Sequence, residues 1–371
     1  MRATATFVLF LVLLLTPASA SAADRLVPRG WLGVTVDGPL NDPGYAHAAG
    51  EWDRMASSGV EAVRTAFYWH SIQPTGPEAF DFSVKDQLVL AAAKRGLGVL
   101  PVVHGTPAWA ALNPGDPASP PRDAADFARL LTALVTRYGP NGSLWAEHPE
   151  VVKQPIRAWQ IWNEPNLMRY WNVAPWAPSY AALLKVAHRT LNAADPGSTT
   201  VLAGLPNESW KALQALYDAG ARASFDVVAL HPYTGKPKNV IRIVKIIRRV
   251  MERNKGATRP IWLTELSWPA GVGKTKQEGD FSTTDSGQAK RLELGLELIA
   301  QARRRYRLDR VYWYTWLSTE GITSSGFDYS GLRRLRAGTL VDAPALAVFR
   351  RVARRLQGCA KPLGDARRCR T

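Results

Sequence analysis

The chain has 371 residues, 46% apolar and 21% charged, a composition that excludes a largely disordered or fibrous protein and permits a large buried core. Its 47 basic and 31 acidic groups give a formal charge of +16, and tryptophan, at 14 residues, is unusually frequent.

The amino terminus reads as an export signal. Met1-Arg2 is a short basic start, Phe7 to Leu15 is an apolar run, and Ala18-Ser19-Ala20 offers small residues for cleavage. As a helix, that run would span about 14 Å against a bilayer core of roughly 30 Å. The expectation is a secretory signal peptide over 1–22, a secreted, extracellular protein, and no membrane span once the signal is removed.

Eight runs rich in β-branched or aromatic residues follow: Trp31–Val36, Ala62–Tyr68, Gly98–Val103, Arg157–Trp162, Thr200–Ala203, Asp226–Leu230, Pro260–Thr264 and Arg310–Trp316. Between them lie amphipathic stretches, among them Val84–Arg95, Ala124–Tyr138, Tyr180–Ala194, Val240–Asn254 and Gly287–Tyr306. Strand alternating with helix predicts a parallel sheet, and eight such units predict an α/β fold of the (β/α)8 TIM-barrel type, one domain over 23–356. A doubly wound sheet is the competing architecture, but no Gly-x-Gly-x-x-Gly follows the first run. The proline-rich stretch Thr106–Arg122 reads as a long loop after the third strand, not as a domain boundary.

Residues 357–371 form a short tail carrying both cysteines, Cys359 and Cys369, with Pro362 and Gly364 between them. In an exported chain this pair reads as a disulfide that ties down the tail, two free thiols being the alternative.

In a barrel, chemistry gathers where the strands end. The fourth run closes on Trp162-Asn163-Glu164-Pro165-Asn166, and the seventh on Thr264-Glu265-Leu266-Ser267-Trp268. Strands four and seven of an eight-stranded barrel lie on opposite sides of its axis, so Glu164 and Glu265 should face each other across the mouth. Either glutamate alone could be an ion-paired surface acid. Two opposed carboxylates are what glycosidic hydrolysis requires, one to protonate the leaving oxygen and one to attack or to activate water.

At these residues the sequence resembles clan A of the glycoside hydrolases, most like families 39 and 5. The resemblance rests on Trp162-Asn163-Glu164-Pro165 and Thr264-Glu265, supported by Arg64, His104, His231-Pro232-Tyr233 and Trp316. It implies a retaining double displacement with Glu265 as nucleophile, steadied by Arg64 and Tyr233. Glu164 would be the general acid, its pKa raised so that it is protonated when substrate arrives. Asn163 would hydrogen-bond the sugar 2-hydroxyl, His104 and His231 would line the sugar site, and Trp316 would stack beneath a ring. The alternatives are that the two histidines pack in the core or behind the residues that touch the sugar, and that Trp316 plugs the barrel. Trp69, Trp109, Trp171, Trp176 and Trp268 fall in loops on the same side and would suit sugar faces. No cofactor is implied, and no His-x-x-x-His or Glu-x-x-His spacing suggests a metal.

Two other patterns point elsewhere. Gly271-Val272-Gly273-Lys274-Thr275 mimics the end of a phosphate loop, but Trp268 stands where the first glycine is required. No Gly-x-Ser-x-Gly elbow suggests an esterase. Positive charge concentrates in Arg242–Arg259, Arg303–Arg310 and the last 22 residues. This reads as solvated helix surface, with weak attraction to anionic cell-surface polymers as the functional alternative and no recognition motif for nucleic acid. The expected partner is a carbohydrate substrate. The competing readings are a non-catalytic carbohydrate-binding barrel and a basic protein that binds cell-surface polymers.

Overall fold

Eight parallel strands form the core: β1 Leu32–Val36, β2 Ala62–Tyr68, β3 Gly98–His104, β4 Ala158–Ile161, β5 Thr199–Val201, β6 Val228–Leu230, β7 Ile261–Leu266 and β8 Leu308–Trp313. The computed structural model describes residues 25–359 apart from 43, 46 and 47. The sheet runs β5-β4-β3-β2-β1-β8-β7-β6, and parallel bridges Val201↔Val227 and Leu205↔Leu230 join its two ends into a barrel. All eight runs read from the sequence are strands within a few residues, and the TIM barrel is confirmed.

The outer helices are α1 Ala48–Ser57, α2 Trp69–Ile72, α3 Ser83–Ala93, α4 Ala124–Tyr138, α5 Ser143–Glu147, α6 Trp176–Ala194, α7 Ser209–Asp218, α8 Pro237–Arg253, α9 Asp285–Tyr306 and α10 Pro344–Leu356. Their ends follow local chemistry. Asp123 caps α4 by accepting from Ala125 N, Thr284 caps α9 by accepting from Gly287 N, and proline opens α8 and α10. A small second sheet, absent from the sequence reading, consists of β9 Leu317–Thr319, β10 Arg333–Arg336 and β11 Thr339–Asp342.

Alternation along the strands divides the core into two layers. Ala62, Leu100, Val201, Val227, Ala229, Trp262 and Tyr312 fill the barrel, while Val63, Phe67, Trp159, Leu263 and their neighbours pack outward against the helices. Gly33 on β1 makes room for this filling, since a Cβ there would lie 2.5 Å from the Tyr312 ring. The expected leader at 1–22 lies outside the described residues, as does Cys369, so the expected Cys359–Cys369 pairing falls outside them too. Among the described residues no helix is long and apolar enough to cross a membrane.

Candidate active site

Regular alternation would have turned Glu265 outward and put Trp162, not Asn163, in the barrel, and each strand end breaks it. On β4, Gln160 points into the barrel and Ile161 outward. Trp162 then adopts φ 70° and Glu164 φ 42°, left-handed values that cost about 1–3 kcal/mol each for non-glycine residues. The result keeps the Trp162 indole in the outer layer, edge-on to Trp171 with centroids 4.9 Å apart, and turns Asn163 and Glu164 into the mouth. On β7 the pairing with β8 slips between Leu263 and Leu266, as in a bulge, and the extra residue brings Glu265 inward.

The two carboxylates meet over a cavity of about 620 Å³ at the carboxyl ends of the strands. One oxygen from each lies within 4.8 Å of the other. Arg64, buried on β2, donates from Nη1 to Glu265 Oε1 at 2.7 Å, from Nη2 to Asn163 Oδ1 at 2.9 Å, and from Nε to Gln160 Oε1 at 2.7 Å. Tyr233 donates its hydroxyl to Glu265 Oε2 at 2.7 Å. Burial first, and then the Glu265 charge, push this phenol well above its ordinary range, so it stays a donor. Both oxygens of Glu265 are therefore held, and the carboxylate is aimed.

Glu164 is held on both oxygens as well. His231 Nδ1 lies 2.7 Å from Oε1, and Arg169 Nη2 lies 3.1 Å from Oε2. His231 is fully buried and its Nε2 has no hydrogen-bond partner among the described residues, so Nδ1, facing the carboxylate, is the donor to Glu164. Burial pushes the Glu164 carboxyl up, but the hydrogen bond and charge of His231, with Arg169, outweigh it and hold the group below its ordinary range. This corrects the expectation of a raised pKa. In the ligand-free protein two donors favour the carboxylate over the acid.

Arg64, His104, Asn163, Glu164, Tyr233 and Glu265 all line the cavity, and His231 sits directly against both glutamates. His104 is pushed down to about 3, chiefly by burial and then by Arg64, His70 and Lys85, and is a neutral ring. Glu164, His231 and Glu265 offer three atoms spaced as metal ligands could be. Arg64 and Arg169 already pair with those carboxylates, however, which leaves little negative charge for a cation to meet.

Trp316 is a correction. β8 ends at Trp313, the Trp316 amide donates to Thr35 O, and its indole turns away from the mouth to donate to buried Glu51 at 2.8 Å. None of Trp69, Trp109, Trp171, Trp176 and Trp268 lines the cavity either. Trp69, Trp171 and Trp268 are wholly buried anchors, and Trp109 bonds the Gln73 carbonyl. Tyr68, Tyr170, Tyr314, Phe281 and Phe327 supply the aromatic surface instead. Sequence reasoning also missed Arg169 and Gln160. Gln160 could have been found, since it sits two residues before Trp162 on the inward face of its strand, but nothing in the loop marks Arg169.

The sequence profile described as the glycosyl hydrolase catalytic core matches residues 139–327, which contain both glutamates, Asn163, His231 and Tyr233. The chain belongs to the glycosyl hydrolase catalytic core family. The clan A resemblance read at Trp162–Pro165 and Glu265 is thereby upheld, and the likenesses named below include family 39. A beta-xylosidase of Geobacillus stearothermophilus is 23% identical over 173 residues, 40% of this chain and 32% of that protein. A family 39 glycoside hydrolase from Bacteroides cellulosilyticus WH2 superposes with TM-score 0.67 at 21% identity, covering 88% of this chain and 63% of its own. A family 39 beta-xylosidase from Caulobacter crescentus superposes with TM-score 0.63 at 18% identity, covering 89% and 72%. This chain thus spans about a third of the curated relative and under two thirds of the first of these structures. At these identities the structural likeness speaks for the fold.

Proposed function

We propose that the chain is a retaining glycosidase acting on a β-linked saccharide, with Glu265 as nucleophile and Glu164 as acid and then base. The observation that carries this reading is the approach of the two carboxylates to within 4.8 Å. A retaining site separates its carboxyl groups by about 5–5.5 Å, whereas an inverting one needs roughly 6.5–9.5 Å to seat a water between them. The fixed orientation of Glu265 by Arg64 and Tyr233 suits an in-line attack on the anomeric carbon.

In the first step Glu265 attacks the anomeric carbon while Glu164 gives its proton to the departing glycosidic oxygen. In the second, Glu164 takes a proton from water, which attacks the glycosyl ester and frees Glu265. The Oδ1 of Asn163 is committed to Arg64, and its amide nitrogen makes no hydrogen bond among the described residues, so Nδ2 is available to the sugar 2-hydroxyl. The β-xylosidase relative makes an aryl β-xyloside the first substrate to try. Proton NMR of the first-formed sugar, recorded before mutarotation, should show the anomeric configuration of the substrate. Product of opposite configuration would overturn the double displacement.

The proposal includes export, on the strength of the apolar run Phe7–Leu15 and its small-residue cleavage site. Mass spectrometry of protein recovered from culture medium should find a mature chain beginning near residue 23, and full-length chain confined to cells would refute it.

A further inference from the structure

The outer helix that follows the Tyr233 loop carries an unbalanced charge. On α8, Lys238, Arg242, Lys245, Arg249 and Arg253 are all exposed, spaced by four, three, four and four residues, and so share one face. Glu252 is the only acid of the helix. Arginines on α4 and α10 are instead neutralised locally: Arg351 pairs with Glu293, Arg355 with Glu297, and Arg137 with Asp86 and Glu147. Among the described residues none of the five stripe cations has an ion-pair or hydrogen-bonding partner.

Successive cations lie about 4.5–6 Å apart along the axis, and the stripe runs roughly 22 Å. That spacing is below the Debye length of about 8 Å at physiological salt, so the individual potentials add. The stripe starts at the mouth of the barrel, since Lys236 and Lys238 follow Tyr233 by only a few residues.

We propose that this face of α8 binds a linear acidic polysaccharide and holds the chain beside the catalytic mouth. A flexible polyanion with a charge on each sugar can track a row of cations at this spacing without any pocket. The choice of a saccharide rests on the glycosidase reading, whereas the charge stripe does not. Two other polyanions fit less well. The helix bears no aromatic residue on which nucleic-acid bases could stack, and none of the exposed large apolar residues of the chain lies on it to enter a lipid surface.

The test is affinity electrophoresis through gels containing polygalacturonate, run in a Glu265→Gln background so that turnover does not enter. The protein should be retarded, and binding should weaken about tenfold or more between ~50 and ~200 mM salt. Joint replacement of Lys238, Arg242, Lys245 and Arg249 by Gln should abolish retardation with an unchanged circular dichroism spectrum. Exchanging Lys for Arg and Arg for Lys at the same four positions should preserve it. If the fourfold Gln variant does not fold, the double variant Arg242→Gln/Arg249→Gln should weaken binding in its place. Retardation that survives loss of the charges overturns the proposal. So does retention by neutral dextran, or binding to duplex DNA or anionic vesicles as tight as that to polygalacturonate.

Discussion

His231 presents Nδ1 to Glu164 Oε1 at 2.7 Å from a position with no exposure to solvent. Gly204, at the end of the β5 segment, makes that position possible, because a Cβ there would lie 1.9 Å from His231 Nε2. The histidine is therefore a fixed donor to one oxygen of the acid. The donor on the other oxygen, Arg169, hangs from a loop with its side chain 66% exposed. Of the two, only Arg169 can leave cheaply, and its departure frees Glu164 Oε2 to carry a proton toward a leaving group.

That difference sets a pH dependence. In the proposed double displacement Glu164 must be protonated for the first step, so its pKa should mark the alkaline limb of kcat/KM. Arg169 helps hold that pKa down. Arg169→Gln should raise it and move the alkaline limb to higher pH, and added salt should move the wild-type limb the same way because the Arg169 end of the pair is exposed. A pH–rate profile that is unmoved, or that moves to lower pH, would remove Arg169 from this role.

Replacing the glutamates should separate their roles. Glu265→Gln should reduce turnover by about 10⁴-fold or more with the fold intact, since an amide cannot form the glycosyl ester. Glu164→Ala should cost about 10²–10⁴-fold on substrates with poor leaving groups and far less on activated aryl glycosides. Azide should restore part of the lost rate. Equal losses on both substrate types, with no azide response, would argue against the assignment.

Tyr233→Phe keeps the ring packed against Phe281 and Phe327 but deletes the hydrogen bond to Glu265. Loss of a hydrogen bond to a charged group is worth about 1.5–3 kcal/mol, roughly 10- to 150-fold. The loss should fall on kcat, with the thermal midpoint little changed, as read by steady-state kinetics beside thermal denaturation.

Trp316 and Tyr314 should respond in opposite ways. Trp316→Phe strips buried Glu51 of one donor and should lower stability by about 1–3 kcal/mol with KM nearly unchanged. Tyr314 lines the cavity, so Tyr314→Leu should raise KM severalfold at nearly unchanged stability. Denaturant titration and kinetics on the same two proteins decide it, and a raised KM in the Trp316 variant would return that residue to the sugar site.

Gly204→Ala tests the seat of His231. With no room for a methyl group, either the strand end or the imidazole must move, at a cost of about 1–3 kcal/mol. Activity should fall more than stability alone accounts for, measured well below the unfolding temperature.

The barrel was legible in the sequence because its signal is local. Each strand is a short apolar run, and helices such as α4 repeat apolar residues on one face. The pair of glutamates that meets in the mouth was legible for the same reason, since Glu164 and Glu265 each follow an apolar run that reads as a buried strand. The missed elements have weaker local signals. α1 and α7 are ten residues each, and α10 hides Leu346, Phe349, Val352 and Leu356 among arginines that read only as a concentration of positive charge.

What the sequence determined by itself was thus the strand–helix order, the barrel and the meeting of Glu164 and Glu265 at its mouth, all of which follow from apolar periodicity and from which residue ends each strand. Only the tertiary structure decided which way side chains face once that periodicity stops. Left-handed turns at Trp162 and Glu164 and the register slip in β7 aim the glutamates, and the early end of β8 turns Trp316 out toward Glu51 and leaves Tyr314 in the mouth. Likewise, the state of Glu164 depends on His231 and Arg169, one far away in sequence and one on an irregular loop. Hydrogen bonds and charges act over a few ångströms of space, and a chain pattern does not encode those distances.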